Sequence, residues 1–140
     1  MPIDPQINNI TSTNRSNYLF IYDIYPEINI IVQNICGLFN LEDYIQFQLT
    51  IWKDVRFIEK MSVILIMNTT GHLFKAEQEN FIEFFEKYAF IYGKKFAVVC
   101  RSQNQYTDCY TMALISTKRN WKTIFKPFAN PVEAKNWILT

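Results

Sequence analysis

The stretch from Met61 to Gly71 places the strongest constraint on the fold of this chain. Residues 63–67, read as VILIM, form an unbroken apolar run in which three members are β-branched. Such a run is typical of a strand that is covered on both faces, as in the middle of a parallel sheet. The small and polar residues 68–71 (NTTG) then favour a turn, and a helical pattern follows. The segment therefore predicts the strand, loop and helix of an α/β fold, with the loop at the carboxyl end of a central strand.

The composition of the chain indicates one globular domain. Its 140 residues fit a single domain by length, and 49% hydrophobic with 19% charged residues is ordinary for a globular protein. The net charge of +1 offers no electrostatic footprint for nucleic acid or an anionic membrane. No apolar run approaches the ~20 residues that span a bilayer, and no signal-peptide pattern opens the chain. We therefore expect a cytoplasmic protein without membrane insertion.

The amino-terminal part of the chain predicts a leader followed by a hairpin. Residues 1–16 are polar and lack a hydrophobic period, so we expect a flexible leader there and a single domain over residues 17–140. Apolar residues alternate over 17–24 and again over 28–33, which predicts two strands. The three-residue connection between them favours an antiparallel hairpin.

Two helices are predicted around the central strand. Asn40 is a good N-cap for the first helix, and its apolar stripe continues as far as Val55 and Ile58. The second helix is predicted from about Lys75 to Tyr92, with Gly93 as its left-handed C-cap residue.

The carboxyl-terminal third predicts two more strand and helix pairs. Residues 96–100 form a buried type of strand, and residues 106–117 a helix that turns Tyr110 and Leu114 inward among other residues. A last strand is predicted over 121–125, ended by a proline, and an Asn-Pro pair opens the final helix. The expected architecture is α/β: a mixed sheet of about five strands, an antiparallel hairpin first and parallel strands after it, with about four helices.

Short motifs along this order resemble the SpoIIAA-like proteins, relatives of the STAS domain (sulphate transporter and anti-sigma-factor antagonist). The motifs are Leu41-Glu42-Asp43-Tyr44, VILIMNTTG, KKFAVVC and FANPVEAKNWIL. The resemblance covers nearly all of the chain after the leader. It implies a STAS-type mixed sheet and a non-enzymatic regulatory module that docks a protein partner.

The loop after the central strand is the first candidate site. In anti-sigma-factor antagonists the corresponding loop carries a hydroxyl residue that a partner kinase phosphorylates, and the resemblance puts Thr70 in that position. The proposed partner-binding residues are Asn68, Thr69, Thr70, Gly71 and His72. The alternative is an ordinary turn that ends one strand and leads to a helix.

An aromatic set on the second helix is the second candidate. It covers more than one helical face, which favours core packing but also fits a dimer face or an aromatic-lined pocket for a small apolar ligand or lipid. The alternative function is therefore a carrier or sensor of such a ligand. The residues concerned are Phe81, Phe84, Phe85 and Tyr88.

Catalytic and metal sites are not predicted. His72 is the only histidine, and no nucleophile motif flanks it. Cys36, Cys100 and Cys109 are odd in number and form no C-x-x-C pair, which argues against a disulfide framework and a redox motif. With His72 they contain none of the close ligand pairs that structural zinc usually shows. No glycine-rich phosphate loop is present among the three glycines. A basic and aromatic cluster surrounds Trp121: Lys118, Arg119, Lys122 and Lys126. Such a cluster fits contact with phosphate or a nucleic acid strand, but it more often forms the solvated side of an edge strand, which we favour. We expect neither an enzyme nor a cofactor.

Overall fold

The computed structural model of the protein describes residues 10–11, 18–69 and 78–140. The strands are β1 (Ile10–Thr11), β2 (Tyr18–Tyr25), β3 (Ile30–Gly37), β4 (Ser62–Asn68), β5 (Lys95–Val99) and β6 (Ile124–Phe128). The helices are α1 (Leu41–Trp52), α2 (Gln78–Lys87), α3 (Gln103–Lys118) and α4 (Pro131–Ile138). The predicted α/β architecture is confirmed, and the two-residue β1 adds a short strand from within the expected leader.

The strands of the sheet lie side by side in the order of the chain, β1-β2-β3-β4-β5-β6. The pairs β1–β2 and β2–β3 are antiparallel, and the pairs from β3–β4 to β5–β6 are parallel. The β2–β3 hairpin closes at the pair Tyr25 and Ile30, and Asn29 in its turn has a positive φ of 62°, a conformation that asparagine tolerates better than most residues. The predicted hairpin followed by parallel strands is confirmed.

Strand β4 has a neighbour on both sides, because β3 and β5 both pair with it in parallel. Its side chains alternate between the two faces of the sheet. Val63, Leu65 and Met67 belong to one core, while Ile64 belongs to the other. The unbroken apolar run is therefore an interior strand, as its sequence predicts.

The two faces of the sheet are covered unequally. Helices α1, α2 and α3 contribute Tyr44, Phe81 and Cys109 to the same core, so they share one face. The parallel strands advance in one direction, and crossovers of one hand then place every connecting helix on one side. Helix α4 follows the last strand and folds back over the other face, where Ala134 packs against Ile64 and neighbouring residues.

Helix α1 begins as predicted but ends earlier. Asn40 accepts a hydrogen bond from the Asp43 N–H at 2.8 Å and the Asp43 carboxylate accepts from the Asn40 N–H, which completes a capping box. The helix stops at Trp52, so the expected continuation of the stripe to Val55 and Ile58 was wrong, and both side chains are exposed. The chain leaves the helix here because the Asp54 carboxylate accepts a hydrogen bond from the backbone N–H of Arg56. This local bond competes with helical hydrogen bonding.

Gly93 has a different role from the predicted left-handed cap. Helix α2 ends at Lys87, five residues before the predicted end at Tyr92, and Gly93 does not have a positive φ. A Cβ atom at Gly93 would lie 2.4 Å from the Lys60 carbonyl oxygen and 2.7 Å from that of Met61. The glycine is needed because two backbone segments approach each other closely. The predicted start of this helix near Lys75 lies outside the described residues.

The last helix–strand pair differs from its prediction in register. Tyr110 and Leu114 are exposed rather than inward, because α3 turns Gln105, Cys109 and Met112 towards the sheet. Strand β6 covers Ile124–Phe128 and so contains the proline that was expected to end it. An edge strand tolerates a proline whose nitrogen points away from the neighbouring strand. The final helix starts at its Asn-Pro pair as predicted.

Candidate functional site

The carboxyl ends of the parallel strands form one edge of the sheet, and the loop after β4 begins there. Asn68 is the last residue of β4, and Thr69 follows it; both are half-buried. Ligand sites of open α/β sheets tend to lie at this edge. The other three predicted partner-binding residues, Thr70, Gly71 and His72, lie outside the described residues.

A pair of asparagines joins the ends of β3 and β4. Asn68 Nδ2 donates a hydrogen bond of 3.0 Å to Asn34 Oδ1. Both side chains lie on the face of the sheet that α4 covers, since they continue the alternation of Ile64 and Ile66. The bond fixes the side chain of Asn68 at the point where the loop leaves the strand.

The side chain of Gln105 fixes the base of the loop from the other side. Its Nε2 donates to the Thr69 carbonyl oxygen at 2.5 Å, and its Oε1 accepts from the Arg101 N–H at 2.7 Å. The residue is fully buried. We call this arrangement the Gln105 bridge. It connects the segments that follow β4 and β5, so the backbone at the start of the loop is held by hydrogen bonds to the α3 helix.

The sequence contained a signal for this bridge. Ser102 is the N-cap of α3 and accepts from the Gln105 N–H at 3.3 Å. Residues 102–105 (SQNQ) thus have the Ser-x-x-Gln pattern of a capping box, whereas the helix was expected to begin at Tyr106. The glutamine side chain reaches one residue beyond the cap, to Arg101, and also across to Thr69, the residue after β4. This second contact depends on the tertiary fold.

The described groups at this edge are hydrogen-bonding groups rather than acids and bases. The amides of Asn34, Asn68 and Gln105 are neutral and already paired with one another or with the backbone. Across residues 10–11, 18–69 and 78–140, no cluster of three or more His, Cys, Asp or Glu side chains is placed to hold a metal ion. The described groups of this edge are a set of fixed polar groups around the start of a loop.

The buried cysteines have the properties of core residues. Burial raises the pKa of the Cys100 thiol to about 11 and raises the pKa of Cys109 well above its ordinary value. Both thiols are therefore protonated at neutral pH, and a thiol is a poor nucleophile compared with a thiolate. Cys36 is half-buried at the end of β3.

The structure places the predicted aromatic set in the core. Phe81, Phe84 and Phe85 are buried, and Tyr88 is half-buried against them. Phe81 and Phe85 make an edge-to-face contact with ring centroids 4.5 Å apart. The void that these two rings help to line has a volume of about 10 Å³, the space that one water molecule needs. Among the described residues, this void leaves no room for an apolar ligand between Phe81 and Phe85.

Among the described carboxyl groups, the one with the most strongly lowered pKa belongs to Asp54, at the opposite edge of the sheet. Arg56 donates to Asp54 and also pairs with Asp23 at 2.8 Å, and the Tyr22 hydroxyl donates to Asp54 at 2.9 Å. The hydrogen bonds from Arg56 hold the pKa of Asp54 at about 2. The pKa of Tyr22 is raised to about 12, chiefly by burial and next by its hydrogen bond to Asp54. Every member has a partner within the cluster, and the cluster ties the loop after α1 to β2.

The basic residues near Trp121 do not form one surface. The Arg119 guanidinium pairs with Glu86, and the Trp121 indole N–H donates to the same carboxylate at 3.4 Å. Lys126 lies instead above the rings of Phe128 and Trp137, on the α4 side. These contacts connect α2 to the turn before β6 and cover aromatic rings, and they leave no continuous basic stripe.

Comparisons of the chain with protein-family models, with curated proteins and with solved structures found no match. The SpoIIAA-like resemblance therefore rests on its short sequence motifs and stays a prediction. Within the described ranges, none of the helices is both long and apolar enough to cross a lipid bilayer.

Proposed function

We propose that this chain is a non-enzymatic regulatory module that docks a protein partner through the loop after β4. The observation that supports the proposal is the Gln105 bridge. In it, one buried amide donates a hydrogen bond to the Thr69 carbonyl oxygen and accepts one from the Arg101 N–H. A glutamine buried to this extent is costly unless its amide is paired. Its position at the base of the loop favours a role in fixing that loop.

A fixed loop base favours binding for an entropic reason. A partner that binds a disordered segment must offset the cost of ordering it, about 1–2 kcal/mol for each backbone residue. The hydrogen bonds at Asn68 and Thr69 impose that order before a partner arrives, so more of the contact energy appears as affinity. The neutral amides at this edge suit hydrogen bonding to a partner's backbone or side chains.

Phosphorylation is the proposed regulation of this loop. Thr70 follows Thr69 directly, and the resemblance to anti-sigma-factor antagonists makes its hydroxyl the acceptor. A phosphate adds about −1.5 to −2 charge at neutral pH. Arg101 is exposed, and its backbone N–H bonds to the Gln105 amide that also bonds to the Thr69 carbonyl oxygen. The Arg101 guanidinium is therefore carried by the segment next to the loop. Charge added at Thr70 is expected to change which partner binds.

The test is a quantitative affinity capture with the full chain as bait. Wild type is compared with Thr70→Glu, which adds charge to the loop, and with Gln105→Leu, which removes the bridge. Thr117→Glu is the matched control, because Thr117 is exposed in the last turn of α3, at the far end of that helix from the loop. Circular dichroism of each variant establishes that the fold is retained.

The proposal predicts at least one protein that wild type and Thr117→Glu capture equally and that both loop variants lose or exchange. Purified, that protein binds wild type with a Kd that Gln105→Leu weakens about tenfold, since the loop must then be ordered on binding. Identical captured sets for all four baits would contradict the docking function. A difference with Gln105→Leu alone would retain docking and remove the phosphate switch.

The alternative function, a carrier of a small apolar ligand, is supported by a different feature. A concave apolar surface with a volume of about 240 Å³ lies on the α4 side of the sheet, away from the aromatic set that first suggested a ligand.

A further inference from the structure

Helix α4 is too small to cover its face of the sheet. The five strands β2 to β6 span about 19 Å between the outer two, whereas one helix has a diameter of about 10 Å. Helix α4 has 8 residues and packs over β4, β5 and β6. Among the described residues, no other helix contributes to the core on this side. Helix α4 therefore does not cover the part of the face that is formed by β3 and by the side of β4 next to β3.

The part of the face that α4 does not cover has an apolar floor. Ile30 and Val32 of β3 and Ile64 and Ile66 of β4 point to this face; Ile30 and Ile64 are buried, and the other two are half-buried. A sheet face that simply meets water is usually polar in alternate positions. Further along the strands the apolar floor ends at the Asn34–Asn68 hydrogen bond.

Two walls turn this floor into a trough. Pro131 and Lys135 of α4 form one wall, and Tyr25 and Ile28 at the hairpin turn form the other. The trough has a volume of about 240 Å³. A cavity of about 150 Å³ accepts a molecule of six carbons such as benzene. At the same volume for each atom, the trough has room for about ten non-hydrogen atoms.

Lys135 is the one charged side chain among the described residues that line the trough. Its side chain makes no salt bridge or hydrogen bond with any described residue. By contrast, Lys95 on the same face donates to the Trp137 carbonyl oxygen at 2.8 Å. An apolar floor with one uncompensated ammonium group at its wall complements a molecule that has an apolar tail and an anionic head.

We propose that the trough binds a small amphiphile: a free, unbranched carboxylate of about eight carbons in all. The tail lies along Ile30, Val32, Ile64 and Ile66, and the carboxylate pairs with the Lys135 ammonium. The proposal deepens the carrier alternative and is independent of the docking loop, because the two sites use different residues.

The dimensions of the trough favour this occupant over a second copy of the chain. A standard protein interface uses about 20–30 residues on each side, whereas eight of the residues that the structure describes line the trough. A free carboxylate of eight carbons has ten non-hydrogen atoms, which matches the room that the trough offers. Small-molecule sites of this kind are concave, mostly apolar and equipped with a few polar groups that fix orientation.

The experiment is a titration of the full chain with hexanoate, heptanoate and octanoate, followed by isothermal calorimetry and by NMR of the isoleucine and valine methyl groups. Each added methylene is expected to tighten binding about fourfold, the free energy of burying one CH₂ group. The methyl signals of Ile30, Val32, Ile64 and Ile66 shift together. Octan-1-ol, which has the same tail without charge, binds about fivefold more weakly than octanoate, the upper end for an exposed ion pair.

Three variants separate the head, the tail and the control. Lys135→Gln weakens octanoate about fivefold and leaves octan-1-ol unchanged. Val32→Phe fills the trough from a half-buried position and weakens both probes at least tenfold. Lys122→Gln, at an exposed lysine outside the lining, changes neither. Thr70→Glu also leaves octanoate binding unchanged, so failure of this proposal and failure of partner docking are distinguishable.

Three results would overturn the proposal. The first is an absence of calorimetric heat and methyl shifts up to millimolar octanoate. The second is an affinity that is the same for Lys135→Gln and wild type, or that does not depend on tail length. The third is a concentration-dependent shift of the trough methyl groups without any probe, with dimerisation in sedimentation, which would assign the face to a second copy of the chain.

Discussion

Replacing Gln33 by Met is expected to destabilise the fold although methionine is the more hydrophobic residue. Gln33 on β3 and Gln48 on α1 are both fully buried in the main core. Each amide donates to the other through its Nε2, and both bonds are 3.1 Å long. In the variant, Gln48 keeps its position while its donor and its acceptor both lose the Gln33 amide in an apolar environment.

The size of the effect follows from what remains unpaired. A buried polar group left without a partner costs about 1–3 kcal/mol, so we expect Gln33→Met and Gln48→Met each to lower the free energy of unfolding by about 2 kcal/mol. The double variant has no amide left to satisfy and has nearly unchanged volume, so it should lie within about 1 kcal/mol of wild type. The coupling energy between the two sites is then about 3 kcal/mol.

Urea denaturation of the four proteins measures this cycle. Unfolding is followed by tryptophan fluorescence and by circular dichroism, and coincident curves with equal slopes establish that the free energies are comparable. The expected order of stability is wild type, then the double variant slightly below, then the two single variants. A double variant that loses the sum of the two single losses would refute the reasoning, because each glutamine would then stabilise the fold by itself.

Two further predictions concern the close backbone approach at Gly93 and the hydrogen-bonded cluster around Asp54. Gly93→Ala should lower the free energy of unfolding by about 3 kcal/mol, because its Cβ would meet two backbone carbonyl oxygens that cannot rotate away; a loss below about 0.5 kcal/mol in urea denaturation, the size of an ordinary surface substitution, would contradict the close approach. Asp54 has a folded pKa of about 2, below its ordinary value of 3.8, so its contribution is present above pH ~4 and is lost as the pH falls towards 2. Asp54→Asn should therefore be less stable than wild type at pH 6, and the difference in stability should shrink between pH 4 and pH 2 in thermal denaturation. A difference in stability that is the same at pH 6 and at pH 2 would contradict the assignment.

The sequence was informative wherever a signal is local. The interior strand β4 was predicted because five consecutive apolar residues, three of them β-branched and followed by a turn, are typical of a buried strand. The N-caps of α1 and α4 were predicted because the side-chain acceptor and the amide that it caps lie three residues apart. The order of strands and helices followed from the same short-range patterns.

The misjudged features depend on contacts between distant parts of the chain. Gly93 looks like a helix cap in sequence, but its need for a missing Cβ comes from a backbone segment more than thirty residues earlier. Pro127 looks like a strand end, yet it is tolerated because β6 is an edge strand. Whether Tyr110 faces in or out depends on a rotation of α3 that its amphipathic pattern only weakly fixes.

The candidate sites divide in the same way. The position of Asn68 at the carboxyl end of a central strand could be predicted, because the strand and its end are both local features. The Gln105 bridge required the distance between the ends of β4 and β5, which no local pattern contains. Lys135 gains its significance from the apolar floor beside α4, which lies open because α4 is the one described helix on this face and packs only over β4, β5 and β6.

The central claim, that the loop edge of the sheet docks a partner, is tested most directly by amide hydrogen exchange of the chain with and without the captured protein. The account predicts that exchange slows in the peptides that contain residues 68–72 and 101–105, and that it is unchanged in the hairpin turn at residues 26–29. Protection confined to the hairpin turn and α4, with unchanged exchange at the loop, would contradict the claim.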